Sequence, residues 1–125
     1  MILDTNAVSA LFAGDASLGK VLSARQSHEL PTIVIGEYRY GLARSRFRRT
    51  LLPLLDDLIR ESVVLEVGLA TAEAYAGVRE RLRRRGRPIP ENDVWISALA
   101  IEHDLEVVSR DEHFDLVEGL RRRPW

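Results

Sequence analysis

Four carboxylates in this chain stand where strands should end or helices begin: Asp4, Glu37, Asp93 and Asp111. Drawn together, they would repel one another and raise each other's pKa unless a cation lay among them. Hard oxygen donors without Cys, and with no His at ligand spacing, suit Mg²⁺ or Mn²⁺ better than Zn²⁺. Such a metal can activate water and stabilise the leaving oxygen of an in-line phosphoryl displacement, alone or as a pair. Thr5, Asn6, Asn92 and Ser109 are polar neighbours, of the kind that orient carboxylates or water from behind the ligands. This is the chemistry of a metal-dependent nuclease, provided the fold makes the acids converge.

Convergence depends on the elements. Ile2 and Leu3 read as a short buried strand closing at Asp4. Thr5 or Asn6 can cap a helix running to about Phe12, stopped near Gly14. A second amphipathic piece follows from about Ser17 to Arg25, then an extended segment from His28 to Pro31. Thr32 caps a helix from Ile33 to about Arg46, because the step before Pro31 forces extension. Leu51 to Arg60 reads as helix with Pro53 in its first turn, and Ser62 to Val67 as a β-branched strand. Ala74, Val78 and Leu82 mark one face of a helix from Thr71 to Arg85, ended by Gly86. Another helix runs from Glu91 or Asn92 to His103. Glu106 to Ser109 is a strand, and Asp111 opens a turn or short helix. Strands alternating with helices predict an α/β fold with a mostly parallel sheet and helices on both faces. Parallel sheets build sites at the C-terminal ends of their strands, where all four acids would fall.

Three of the four acids also have a sufficient local explanation. Asp93 near a helix N-terminus gains about 0.3 to 1 kcal/mol from the macrodipole. Asn92 can serve as a cap, Asp111 as a turn initiator, and Glu37 as a solvated helix residue. Asp4 resists such treatment, since its strand is apolar and a charge at its end is otherwise unexplained.

Composition narrows the class. The 125 residues are 46% hydrophobic and 30% charged, with no cysteine. That describes one ordered domain, 1–125, without disulfides, thiolate metal sites or thiol nucleophiles. No apolar run approaches the roughly 18 to 20 residues of a membrane span, and no basic leader precedes an apolar segment. A soluble cytoplasmic protein is expected. Net charge is −1, and 17 of the 18 basic residues are Arg. With four of the 19 acids neutralised by metal, the remaining charges would sum to +3, enough to receive a polyanion.

Four collinear stretches, ILDTN at 2–6, PTIVIGEYRYGL at 31–42, RRGRPIPENDVWISALA at 84–100 and VVSRDEHF at 107–114, together cover nearly the whole chain. In this order the chain resembles PIN-domain ribonucleases of the VapC toxin type, the toxic half of bacterial type II toxin–antitoxin pairs. The resemblance implies a three-layer α/β/α sandwich and Mg²⁺- or Mn²⁺-dependent cleavage of RNA. It also implies inhibition by a small cognate antitoxin, and a homodimer. It places the family's acidic positions on Asp4, Glu37, Asp93 and Asp111, with Asn6 as polar companion; Ser109 keeps the hydroxyl where Thr is more usual. Within that reading Arg44, seven positions after Glu37 on one helix, is expected to contact substrate phosphate. Arg87, at the end of RERLRRRGR (79–87), is the other RNA-binding candidate, although such a run also suits a solvated helix face. Arg121 to Arg123 read as a solubilising tail, and His28, His103 and His113 as structural or exposed.

Two rivals compete. A phosphatase forming an aspartyl-phosphate would usually carry a second acid two residues after the first, where this chain has Asn6. A binding module with acids as caps would hold RNA without divalent metal.

Overall fold

The computed structural model describes residues 1–25 and 27–125. Its elements run β1 (Ile2–Leu3), α1 (Thr5–Phe12), α2 (Ala16–Ser23), β2 (Glu29–Pro31), α3 (Thr32–Leu42) and α4 (Arg48–Glu61). They continue with β3 (Val63–Leu65), α5 (Leu69–Arg84), α6 (Glu91–Glu102), β4 (Glu106–Val108), a 3₁₀ turn (Glu112–Leu116) and β5 (Arg121–Arg123). The five strands form one parallel sheet in the order β3-β2-β1-β4-β5. From β1 the chain steps outward through β2 and β3, returns to the other side of β1, and steps outward again to β5. Right-handed crossovers put the helices of the outward path on one face and α5–α6, which bring the chain back, on the other. The result is the expected α/β/α layering.

The reversal between β1 and β4 positions the site. At such a switch point the connections leave in opposite directions and open a crevice above the strand ends. Ile2 pairs with Val107 and Leu3 with Val108, so Asp4 and Ser109 emerge side by side. Beneath them Ile2, Leu3, Val107, Val108 and Phe114 are fully buried in the main core. Helix α6 buries residues on every side, including Val94, Ile96, Ala98, Leu99 and Ala100, as expected of a helix packed both on the sheet and on α5. The Tyr75 ring of α5 stacks on Trp95 at 3.9 Å, fixing the start of α6, where Asn92 and Asp93 lie.

Several expected boundaries move, each for a local reason. Asp4 itself caps α1, accepting from Ala7 N at 2.7 Å, so neither Thr5 nor Asn6 is the cap. Asp15 caps α2 one residue earlier than read, and that helix stops at Ser23. Helix α3 ends at Leu42 rather than near Arg46, in a turn where Ser45 Oγ accepts from Phe47 N. Helix α4 starts at Arg48, leaving Pro53 in its second turn. β3 is shorter than Ser62–Val67, and Leu69 opens α5 two residues before Thr71, whose hydroxyl accepts from Gly68 N.

The largest correction is at Arg121–Arg123, which form edge strand β5 in register with β4. Nothing in three arginines suggests a strand. Here pairing with β4 creates one, and the edge charges discourage further pairing. Arg122 is only 13% exposed; it grips Asp115 with two nitrogens at 2.6 and 2.8 Å and donates to Ser109 O at 3.1 Å.

Phe114 is the largest fully buried side chain and anchors the turn after β4. Phe114→Ala is expected to destabilise the protein by about 3 to 5 kcal/mol, read as a lowered midpoint in urea unfolding.

Candidate active site

Asp4, Glu37, Asp93 and Asp111 line one cleft of about 250 Å³ together with Thr5, Asn6, Pro90 and Ile96. Asp4 is 4% exposed. One carboxylate oxygen takes the backbone N–H of Ala7, and the other accepts the hydroxyl of Ser109. The Ser109 oxygen accepts in turn from Asp111 N at 2.9 Å. Ser109 therefore ties the strand-end acid to the backbone that carries the last acid. Glu37 reaches in from the second turn of α3, where its two oxygens accept from Thr5 Oγ1 at 2.6 Å and Asn92 Nδ2 at 2.7 Å. Two of the polar neighbours thus grip an acid from separate helices.

Asp93 stands in the first turn of α6. Its Oδ2 lies 3.5 Å from His113 Nδ1, which is itself 2.9 Å from Asp111 Oδ1. Donor atoms of Asp93, Asp111 and His113 all fall within 4.8 Å of one another. His113 is the residue that sequence reading missed. It has no second His at ligand spacing, and its one legible signal is the offset of two from Asp111, which the 3₁₀ turn converts into proximity.

The electrostatics agree with the crowding. Burial raises the Asp4 carboxyl pKa, and Asp111 adds to this, against the lowering effect of the bonds from Ser109 and Ala7. Burial, then the charges of Asp111 and Glu37, push Asp93 up to about 6, with His113 opposing. No Arg or Lys pairs with any of the four acids among the described residues. A divalent cation fits this donor set: its oxygens are hard, and its charge would offset the repulsion that burial intensifies.

The remaining candidates separate. Asn6 lines the cleft, while Ser109 and Asn92 support it from behind. Arg44 falls beyond the end of α3, so the shared helix face with Glu37 does not exist; it lies over the Tyr40 ring instead, 5.8 Å from its centroid. Arg87 sits exposed in the loop after α5 and does not line the cleft.

Strand order, cleft position and oxygen-rich donor set together define an α/β protein with a candidate acidic metal centre at its sheet switch point. The chain belongs to the PIN-domain family, whose model matches residues 1–120. It is 26% identical over 95 residues to ribonuclease VapC2 of Haemophilus influenzae, covering 75% of this chain and 72% of that one. Identity to the tRNA(fMet)-specific endonuclease VapC of Shigella flexneri is 27% over 97 residues, 77% of this chain and 74% of that one. Among solved structures, the DNA-bound VapBC of Salmonella typhimurium superposes with a TM-score of 0.90 at 23% identity, covering 99% of this chain and 96% of that one.

With a folded pKa near 6 against 3.8, Asp93 binds its proton more tightly in the native state. The associated stabilisation is full below the unfolded value and is lost as pH rises through 6. In metal-free buffer, Asp93→Asn should therefore gain stability over wild type progressively from pH 4 to pH 7, by about 1 to 2 kcal/mol once solvent screening of the partly exposed carboxylate is allowed for. Thermal melts across that range check the sign, and added Mn²⁺ should reverse it by stabilising wild type more than the variant.

Proposed function

We propose that the protein is a metal-dependent endoribonuclease acting as the toxin of a toxin–antitoxin pair. The observation that carries this reading is the convergence of four carboxylates from β1, α3, α6 and the end of β4 on one cleft. The relatives named ribonuclease VapC support RNA as substrate. Asp4, Glu37, Asp93 and Asp111 would hold Mg²⁺ or Mn²⁺, and His113 would join them or hold Asp93 and Asp111 apart. When bound, the metal supplies charge neutralisation and Lewis-acid polarisation of the phosphodiester.

The chain's own residues do the positioning. Ser109 and Ala7 N hold both oxygens of Asp4, so its carboxylate meets substrate without reorganising. Thr5 and Asn92 hold Glu37 in the same way. Asp93, in the first turn of α6, presents its carboxylate to the cleft, with Oδ2 3.5 Å from His113 Nδ1. Asn6 lines the cleft, where its amide can orient a water or a phosphate oxygen. Single domain organisation and a cytoplasmic location belong to the same proposal. No helix among the described residues is long and apolar enough to cross a membrane.

A cognate antitoxin and a second copy of the chain are the proposed protein partners. Structural neighbours include VapBC complexes. Tyr40, Phe47, Leu54, Val67 and Leu69 also leave large apolar side chains at the surface, available to such partners.

Purified protein freed of any antitoxin should cut structured RNA when Mg²⁺ or Mn²⁺ is present and stop when EDTA is added. Asp4→Asn and Asp93→Asn should each lower the rate at least 100-fold, the order expected for loss of a group that stabilises transition-state charge, while leaving the fold intact by circular dichroism. Equal cleavage by wild type and both variants, or metal-independent RNA binding without cleavage, would falsify this function.

A further inference from the structure

Beside the cleft runs a second groove of about 460 Å³, which shares Asn6 and Asp111 with it. We propose that this groove is the subsite for a nucleobase flanking the scissile phosphate of single-stranded RNA, with the Arg110 guanidinium as stacking platform. The inference rests on the ribonuclease reading above and adds the place of the neighbouring nucleotide.

One wall of the groove is a single face of α1 and its cap, Asn6, Ser9, Ala10 and Ala13, spaced three and four apart as a helix face requires. At 1.5 Å per residue it leads about 10 Å away from the acids. Ala10 and Ala13 keep it flat. The opposite wall is Arg110 and Trp125.

Arg110 is held in an unusual way for a side chain 55% exposed. Its guanidinium lies over the Trp125 ring, 4.6 Å from the centroid, and its Nη2 is 2.7 Å from Asp15 Oδ2. The same oxygen faces Trp125 Nε1 at 3.4 Å. Asp15 cannot swing away, because its other oxygen caps α2, accepting from Ser17 N at 2.9 Å and Leu18 N at 3.1 Å. One carboxylate therefore fixes a helix start and an arginine–tryptophan stack together.

An exposed ion pair contributes little to stability, so the rigidity of Arg110 calls for another use. A guanidinium backed by an indole presents its outer face to solvent, and unpaired bases stack on guanidinium planes as they do on aromatic rings. Only one nitrogen is engaged by Asp15, leaving donors for a phosphate. Placement completes the case. Arg110 directly precedes Asp111, so its charge sits where a polyanion must approach a cleft lined by acids. The fixed geometry also reduces the ordering cost of binding.

The test uses the Asp93→Asn protein with Mn²⁺ and a short fluorescein-labelled single-stranded RNA, read by anisotropy. Arg110→Ala should weaken binding about fivefold or more, the range of one lost stacking contact. Ala13→Asp, a change at an exposed position that leaves the core untouched, should do the same. Arg110→Lys keeps the charge but not the plane, and should recover less than half of the loss. In the active protein the same substitutions should raise KM with little change in kcat. If wild type cleaves RNA while Arg110→Ala and Ala13→Asp bind like their parent, or if Arg110→Lys restores full affinity, the subsite is wrong and the nuclease reading stands. If the unsubstituted protein neither binds nor cleaves RNA, both fall.

Discussion

A hydrogen bond donated from the Ser109 hydroxyl to Asp4 joins the ends of the neighbouring strands β1 and β4, and the rest of the site is arranged around it. A carboxylate only 4% exposed at the end of an apolar strand would be too costly without hydrogen bonds to both oxygens. Ser109 and Ala7 N supply them. The arrangement works only because β1 and β4 are neighbours, which follows from the chain reversing direction in the sheet at that point. Ser109 is braced in its turn. Arg122 of β5 donates to its carbonyl while gripping Asp115. The edge strand therefore holds the central strand end in place, although it contributes no residue to the cleft.

The same burial that makes Asp4 and Asp93 available to a cation works against the metal-free fold. Burial, and after it the like charges nearby, raise a carboxylate's affinity for protons, and Asp93 shows it most plainly. Thr5, Asn92 and Ser109 are donors fixed by their own elements, so the carboxylates are held apart and aimed rather than left to find solvent. His113 plays a different part. Its ring is half exposed and reaches two acids at once, which suits either a ligand or a spacer that keeps Asp93 and Asp111 from collapsing onto one another.

Much of this was legible before any coordinates. Apolar periodicity and the Gly and Pro breaks located the helices, and β-branched runs located β3 and β4, because those signals are local. The acids could be assigned to one sheet edge since strand ends and helix starts in a parallel α/β fold fall on the same side. What could not be read were effects requiring a partner distant in sequence. β5 is a strand because β4 offers it hydrogen bonds, not because arginine favours extension. His113 meets Asp93 across twenty positions, through a turn whose tightness depends on burying Phe114. Arg44 was misplaced for a related reason: seven residues share a helix face only while the helix lasts, and α3 ends at Leu42.

Arginine usage, uninformative as a total, becomes informative once pairing is known. In the run from 79 to 87, Arg79 pairs with Glu91, Arg83 and Arg84 with Glu80, and Arg85 with Glu118. In β5, Arg121, Arg122 and Arg123 pair with Asp104, Asp115 and Glu106. The β5 segment looks basic in one dimension but is neutralised in three, whereas the run from 79 to 87 shares Glu80 between two arginines and has no ion pair for Arg81 or Arg87 among the described residues. Arg110 is paired too, yet differs in kind: its partner is locked as a helix cap, its guanidinium carbon lies over an indole ring, and its neighbour in sequence is Asp111. Charge density along the chain therefore points away from the cleft, whereas geometry points to its rim. In a fold whose cleft is acidic, a polyanion is met by a few cations held in fixed positions beside the acids, and net charge near zero is no obstacle to that.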